Sequence, residues 1–255
     1  MKTQRLLALI LGGALALGAV VTGLGLYFLR PLSAEPLAVE ALKGGIERPY
    51  GYLLTPKAPQ ALLALYPGAR VDPRAYAPLL APLAEEGYAV ALLKVPAGIA
   101  LLGKERGLEA ARDFPGLPLV LGGHSLGGVV AAEVAAREGL PLFLFASYPE
   151  TDLSGLSLPT LALYGTEDGL LPPEKAKALA RRLPKGARVV FIPGLNHAGF
   201  GAYGIQKGDH KAQRPREVLW NEIREEVRLF LESLGLNTPP TPGQGDSLKR
   251  KRVVL

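Results

Sequence analysis

Residues 119–128 read LVLGGHSLGG, and VVAAEVAA follows over 129–136. A short apolar run, one serine held between glycines and a helix-forming run spell strand, tight turn, helix. Gly123 and Gly127 let neighbouring backbones pass closely, which leaves the Ser125 hydroxyl exposed at the carboxyl end of the strand. The helix that follows turns its free N–H groups and positive dipole end toward any negative charge that develops there. A Gly-x-Ser-x-Gly string alone recurs by chance. Flanked by strand and helix, it is a specific signal.

A serine hydroxyl is a poor nucleophile at neutral pH, so it needs a base within hydrogen-bond reach and a carboxylate to orient that base. The chain has three histidines. His124 neighbours the serine and reads as a turn residue whose side chain points away from it. His210, in QKGDHKAQ, reads as a solvated loop residue. His197, in IPGLNHAGFGAYG, follows the last expected strand, where a base would sit at the carboxyl edge of a sheet. The carboxylate is sought at the end of the preceding strand, where TLALYGTEDGLLPP offers Glu167 and Asp168. Asp168 stands directly before Gly169 in the turn and is favoured; Glu167 reads as a surface residue. The order is then Ser125, Asp168, His197.

Around this constellation the chain alternates apolar runs with helical patterns. The runs QALLALY (60–66), YAVALLK (88–94), LPLVLGG (117–123), PLFLFAS (141–147), PTLALYG (159–165) and ARVVFIPG (187–194) are nearly continuous, as in strands buried on both faces. DPRAYAPLLAPLAEEGY opens with Asp72 as a helix N-cap and Pro73 at the first helical position, and closes on Gly87. In PREVLWNEIREEVRLFLESLG, Trp220, Ile223, Val227, Phe230 and Leu234 recur every three to four residues, an amphipathic helix. LPPEKAKALARRL is a further helix. The fold class expected is α/β: a doubly wound, mostly parallel sheet flanked by helices.

The chain resembles the α/β-hydrolase superfamily over about residues 45–235, and specifically its small lidless members. The likeness rests on Gly123-His124-Ser125-Leu126-Gly127, on the YGTEDGLLPP turn and on GLNHAGFGAYGIQKGD around His197. It implies a serine hydrolase with catalytic Ser125, Asp168 and His197, and with no metal or organic cofactor. It also implies an oxyanion hole of two backbone N–H groups. One belongs to Leu126; the other, by position in YPGARVD, belongs to Ala69, where many esterases carry His-Gly and this chain has Pro67-Gly68. The eleven-residue connection Tyr148 to Leu158 is too short for a helical cap, so a small or open acyl pocket is expected. Phe200, Tyr203, Lys207, Tyr66, Tyr76 and Arg70 are candidate lining residues.

The 255 residues allow one domain plus ends. Of the net charge of +6, residues 1–35 (Lys2, Arg5, Arg30 against Glu35) carry +2 and residues 236–255 (Lys249, Arg250, Lys251, Arg252 against Asp246) carry +3. The remainder is nearly neutral, and no nucleic-acid partner is expected. The absence of cysteine excludes disulfides, thiolate metal sites and a cysteine nucleophile. From Leu6 to Leu29 the chain is uncharged and mostly apolar; 24 residues at 1.5 Å rise make roughly 36 Å of helix, enough to cross a ~30 Å hydrocarbon core. Lys2 and Arg5 on the leading side favour a cytoplasmic amino terminus and an extracytoplasmic domain. The alternative is a secreted protein after signal cleavage near Ala34.

Three segments are expected: a transmembrane anchor or signal with a Pro-containing linker (1–35), the hydrolase domain (36–235) and a disordered basic tail (236–255). The leading expectation is an anchored esterase acting on a small-molecule ester of small or medium acyl chain. An acyltransferase or peptidase with the same triad, and an inactive fold kept for binding, are the alternatives.

Overall fold

A computed structural model describes residues 31–236 and, before them, Gly18. The apolar segment 6–29 otherwise lies outside the described residues, as does the tail from 237 on. Among the described residues no helix is long and apolar enough to cross a membrane.

The apolar runs form six parallel strands: β3 (Leu62–Tyr66), β4 (Ala89–Leu93), β5 (Leu119–His124), β6 (Leu142–Phe145), β7 (Thr160–Gly165) and β8 (Arg188–Ile192). Two further strands, β1 (Ile46–Arg48) and β2 (Gly51–Leu54), extend the sheet antiparallel on the β4 side, giving the order β1-β2-β4-β3-β5-β6-β7-β8. The chain reverses direction in this order between β4 and β5, with β3 and β5 adjacent at the centre. That is the topological switch point, where loops from neighbouring strands diverge and leave a crevice at the carboxyl edge.

Among residues 31–236 six α-helices accompany the strands: α1 (Pro36–Glu40), α2 (Ala77–Glu85), α3 (Arg106–Ala111), α4 (Leu126–Glu138), α5 (Pro173–Ala180) and α6 (Arg216–Ser233). Alternate residues of the central strands feed two cores. Leu63, Leu65, Val90, Leu92, Phe143 and Phe145 pack toward α2 and the apolar stripe of α6, while Leu62, Ala64, Leu121, Leu142 and Leu144 pack toward α4. In α6 the stripe Trp220, Ile223, Val227 and Phe230 is buried, which fixes the helix against the sheet.

One expectation needs correction, and two features lay outside the sequence reading. β8 is not buried on both faces; its residues run from exposed to half-buried until Ile192, because it is an edge strand with a single neighbour. The hairpin β1–β2 was not anticipated, since Ile46–Arg48 is exposed throughout and presents no apolar run. The linker is also no free spacer. Leu32 bridges to Val71, its N–H donates to Arg70 O at 2.6 Å, and Glu35 N donates to Ala202 O at 2.8 Å, so residues 32–35 lie strapped to the domain. No helix interrupts the connection from β6 to β7, and the fold carries no cap.

Candidate active site

Ser125 sits between β5 and α4 with φ 51° and ψ −123°, a conformation that costs on the order of 1–3 kcal/mol and persists only where its surroundings enforce it. The enforcement is close packing. A Cβ on Gly123 would stand 2.3 Å from the Gly127 carbonyl group, and one on Gly127 would stand 2.3 Å from Tyr66 O. Gly127, the second residue of α4, is therefore pressed against the end of β3, which only glycine permits. Ser147, two residues past β6, donates its Oγ to Ser125 O at 2.7 Å and ties the turn from the other side.

Asp168 and His197 are in direct contact. Asp168 Oδ1 accepts from Leu170 N at 2.9 Å and Leu171 N at 2.6 Å, which holds the carboxylate in one orientation. Its Oδ2 lies 2.8 Å from His197 Nδ1. A carboxylate only accepts, so Nδ1 carries a proton toward it, and in the neutral imidazole Nε2 keeps its lone pair. Both side chains are buried, and His197 Nε2 is buried without a hydrogen-bond partner among the described residues. Ser125 and His197 line one cleft of about 250 Å³, together with Leu126, Val129, Tyr148 and Leu170. In the resting geometry no hydrogen bond joins the two; such bonds are often long or misaligned before substrate binds.

The remaining candidates separate by position. Leu126 opens α4 beside the cleft, and Ala69 stands in the turn after β3. Neither backbone N–H is taken by a hydrogen bond among the described residues. Glu167 turns instead to the Thr166 hydroxyl. Tyr66, Tyr76, Phe200 and Tyr203 are buried in the domain's interior, Lys207 is exposed, and Arg70 borders a different cavity beside Lys94 and Gly98. None of these six is among the residues that line the cleft of Ser125.

His124 is buried, and both its nitrogens are engaged. Gly68 N donates to the Tyr76 hydroxyl at 2.9 Å, which leaves that hydroxyl's proton for His124 Nδ1 at 2.8 Å; His124 Nε2–H then donates to His197 O at 3.2 Å. One chain of hydrogen bonds thus joins the turn after β3, the end of β5 beside Ser125 and the histidine loop. Burial, reinforced by the neighbouring His197, holds the His124 imidazole well below its ordinary pKa, so it stays neutral.

Asp209 was not singled out from sequence. Its Oδ1 accepts from Gly169 N (3.0 Å), His197 N (3.2 Å) and His210 N (2.9 Å), and its Oδ2 from Asn196 Nδ2 (2.9 Å) and Ala198 N (2.8 Å). This one carboxylate fastens the acid turn to the histidine loop. Its only sequence signal is an aspartate after Gly208 in the long segment beyond His197. The Trp220 indole adds a further tie, donating to Gly199 O at 2.8 Å.

The site thus joins a strained serine between strand and helix to an aspartate-held imidazole in the same cleft. The sequence matches the Alpha/beta hydrolase family over residues 62–221. The chain belongs to the α/β-hydrolase family. Among solved structures, this α/β-hydrolase is similar to an alpha/beta hydrolase from a sediment metagenome of the Mar Chica lagoon, Morocco, at 17% identity and a TM-score of 0.56, covering 75% of this chain and 99% of that one. It is similar to a ferulic acid esterase from Streptomyces cinnamoneus at 21% identity and TM-score 0.55, covering 73% and 70%. An esterase from Pyrococcus furiosus follows at 14% and 0.55, covering 74% and 89%. A comparison with curated proteins gave no match. Among the described residues no group of three or more His, Cys, Asp or Glu side chains is arranged to hold a metal ion.

Proposed function

We propose that this α/β-hydrolase is a serine esterase that cleaves carboxylic esters of small or medium acyl groups. The observation that carries the proposal is the state of His197: Nδ1 held by an oriented Asp168 and Nε2 unengaged in the cleft of Ser125. In the mechanism, Ser125 Oγ attacks the acyl carbon as Nε2 takes its proton, and Asp168 stabilises the imidazolium. The N–H groups of Leu126 and Ala69 receive the oxyanion; one such donor typically contributes about 2.7–4 kcal/mol to barrier lowering. His197 returns the proton to the leaving alcohol, and water, activated by the same nitrogen, releases the acid. The small cleft without a cap supports a short acyl chain, and two of the similar folds are esterases.

The same proposal includes residues 6–29 as an uncleaved anchor with the domain on the extracytoplasmic side, supported by their length, their lack of charge and the leading Lys2 and Arg5. The test of the chemistry is hydrolysis of p-nitrophenyl esters from acetate to palmitate by the detergent-solubilised chain and its Ser125→Ala variant. Serine-dependent turnover with a short-chain optimum is expected. Absence of turnover by folded protein would overturn the esterase assignment.

A further inference from the structure

We infer that the carboxyl edge of the sheet, with the cleft of Ser125, lies against the membrane surface and takes its ester from the lipid phase, an inference that rests on the anchor and esterase proposed above. The six parallel strands share one carboxyl edge, and the turns that follow them carry Ser125, Asp168 and His197. The chain joins the domain at that same edge. Leu32 N donates to Arg70 O, and Asp72 N donates to Leu32 O at 2.9 Å, in the turn after β3; Glu35 N donates to Ala202 O in the histidine loop. The strap therefore spans from the oxyanion turn to the loop of the base. Leu29, the last apolar residue of the expected anchor, is two residues from Pro31 and so within about 7 Å of it. An anchor ending there leaves this edge no room to face away from the bilayer.

The side chains at this edge fit that partner. Arg70 N donates to Gly98 O at 2.7 Å, and the turn after Gly98 presents Leu101 at 46% and Leu102 at 62% exposure. Beyond Ala202, Ile205 is 70% exposed. Ile205 and Leu102 are the two most exposed large apolar side chains among the described residues, and they stand on the turns to which the strap is tied or which border it. Apolar tips flanking a membrane-proximal segment are suited to insertion at the headgroup boundary. An ester dissolved in that layer then meets the cleft without crossing water.

The absence of native cysteine makes the test direct. Leu102→Cys, Ile205→Cys and, at the opposite edge before β8, Lys185→Cys are labelled with an environment-sensitive fluorophore in the full chain, reconstituted in phosphatidylcholine–phosphatidylglycerol vesicles. Nitroxide lipids are expected to quench positions 102 and 205 several-fold more than 185. Equal quenching at all three overturns the inference, as does a blue-shifted but unquenched label at 102, which would mean that protein covers the lip. Failure to float with the vesicles sinks the anchor and the inference together. Since fluorescence requires no turnover, a failed esterase assignment is recognised separately, by p-nitrophenyl acetate. A paired Leu101→Glu, Leu102→Glu variant is expected to lose about tenfold on a vesicle-borne ester and to keep p-nitrophenyl acetate turnover; equal losses on both would count against a lipid-facing lip.

Discussion

His124 and His197 stand with ring centroids 4.7 Å apart, both buried, and their roles are opposed. His124 spends both nitrogens on hydrogen bonds, to the Tyr76 hydroxyl and to His197 O, and burial keeps it neutral. His197 has one nitrogen fixed by Asp168 and the other unengaged in the cleft. A fully satisfied imidazole holds structure in place; a half-satisfied one is available for proton transfer. Burial alone does not separate the two, but the count of engaged nitrogens does.

The largest effect that tests this contrast is in turnover. His197→Ala is expected to lower kcat for p-nitrophenyl acetate by about 10⁴-fold or more, whereas His124→Asn, which removes a brace, is expected to cost about tenfold. Comparable losses would erase the distinction. The two carboxylates come next. Asp168→Asn is expected to lower kcat by about 10⁴-fold, because the amide stabilises the wrong tautomer of His197, while Asp209→Asn is expected to cost about 10- to 100-fold through misplaced loops. The latter also leaves N–H groups facing N–H groups, so unfolding in urea should show a loss of about 2–3 kcal/mol.

Tyr76→Phe removes the hydroxyl that accepts from Gly68 and donates to His124. About 1–2 kcal/mol of stability and a several-fold loss of kcat are expected, read by urea titration and ester turnover. The last effect lies in pH dependence. His124 has a folded pKa below its unfolded value near 6.5, so the unfolded chain binds more protons as pH falls through 6.5, and stability declines there with a slope of up to about 1.4 kcal/mol per pH unit. Above pH 6.5 this contribution is flat. Urea unfolding between pH 7.5 and 5 should show a shallower decline in His124→Gln; identical slopes would mean that His124 is already protonated in the fold.

Five of the six parallel strands, β3 to β7, were legible because strands buried on both faces leave nearly unbroken apolar runs. The hairpin β1–β2 was not, because an exposed three-residue strand leaves none, and β8 wore an apolar run although sheet order makes it an edge. In the site, Asp168 and His197 could be paired in advance because each stands just past a strand end. Asp209 could not, since four of its five donors are backbone N–H groups, which every residue except proline has and which therefore leave no residue-type pattern. The strap at 32–35 was read as a linker for the same reason: backbone hydrogen bonds hold it. Phe200 and Tyr203 illustrate the converse, aromatic residues near His197 that fill the core and do not line the cleft.

The most direct measurement is intact-mass analysis of the chain after treatment with a fluorophosphonate, alongside Ser125→Ala and His197→Ala. A single adduct on the unaltered chain, mapped to Ser125, absent from Ser125→Ala and formed far more slowly on His197→Ala, is the predicted result. An adduct that forms equally fast on Ser125→Ala would contradict the assignment of Ser125 as the nucleophile activated by His197.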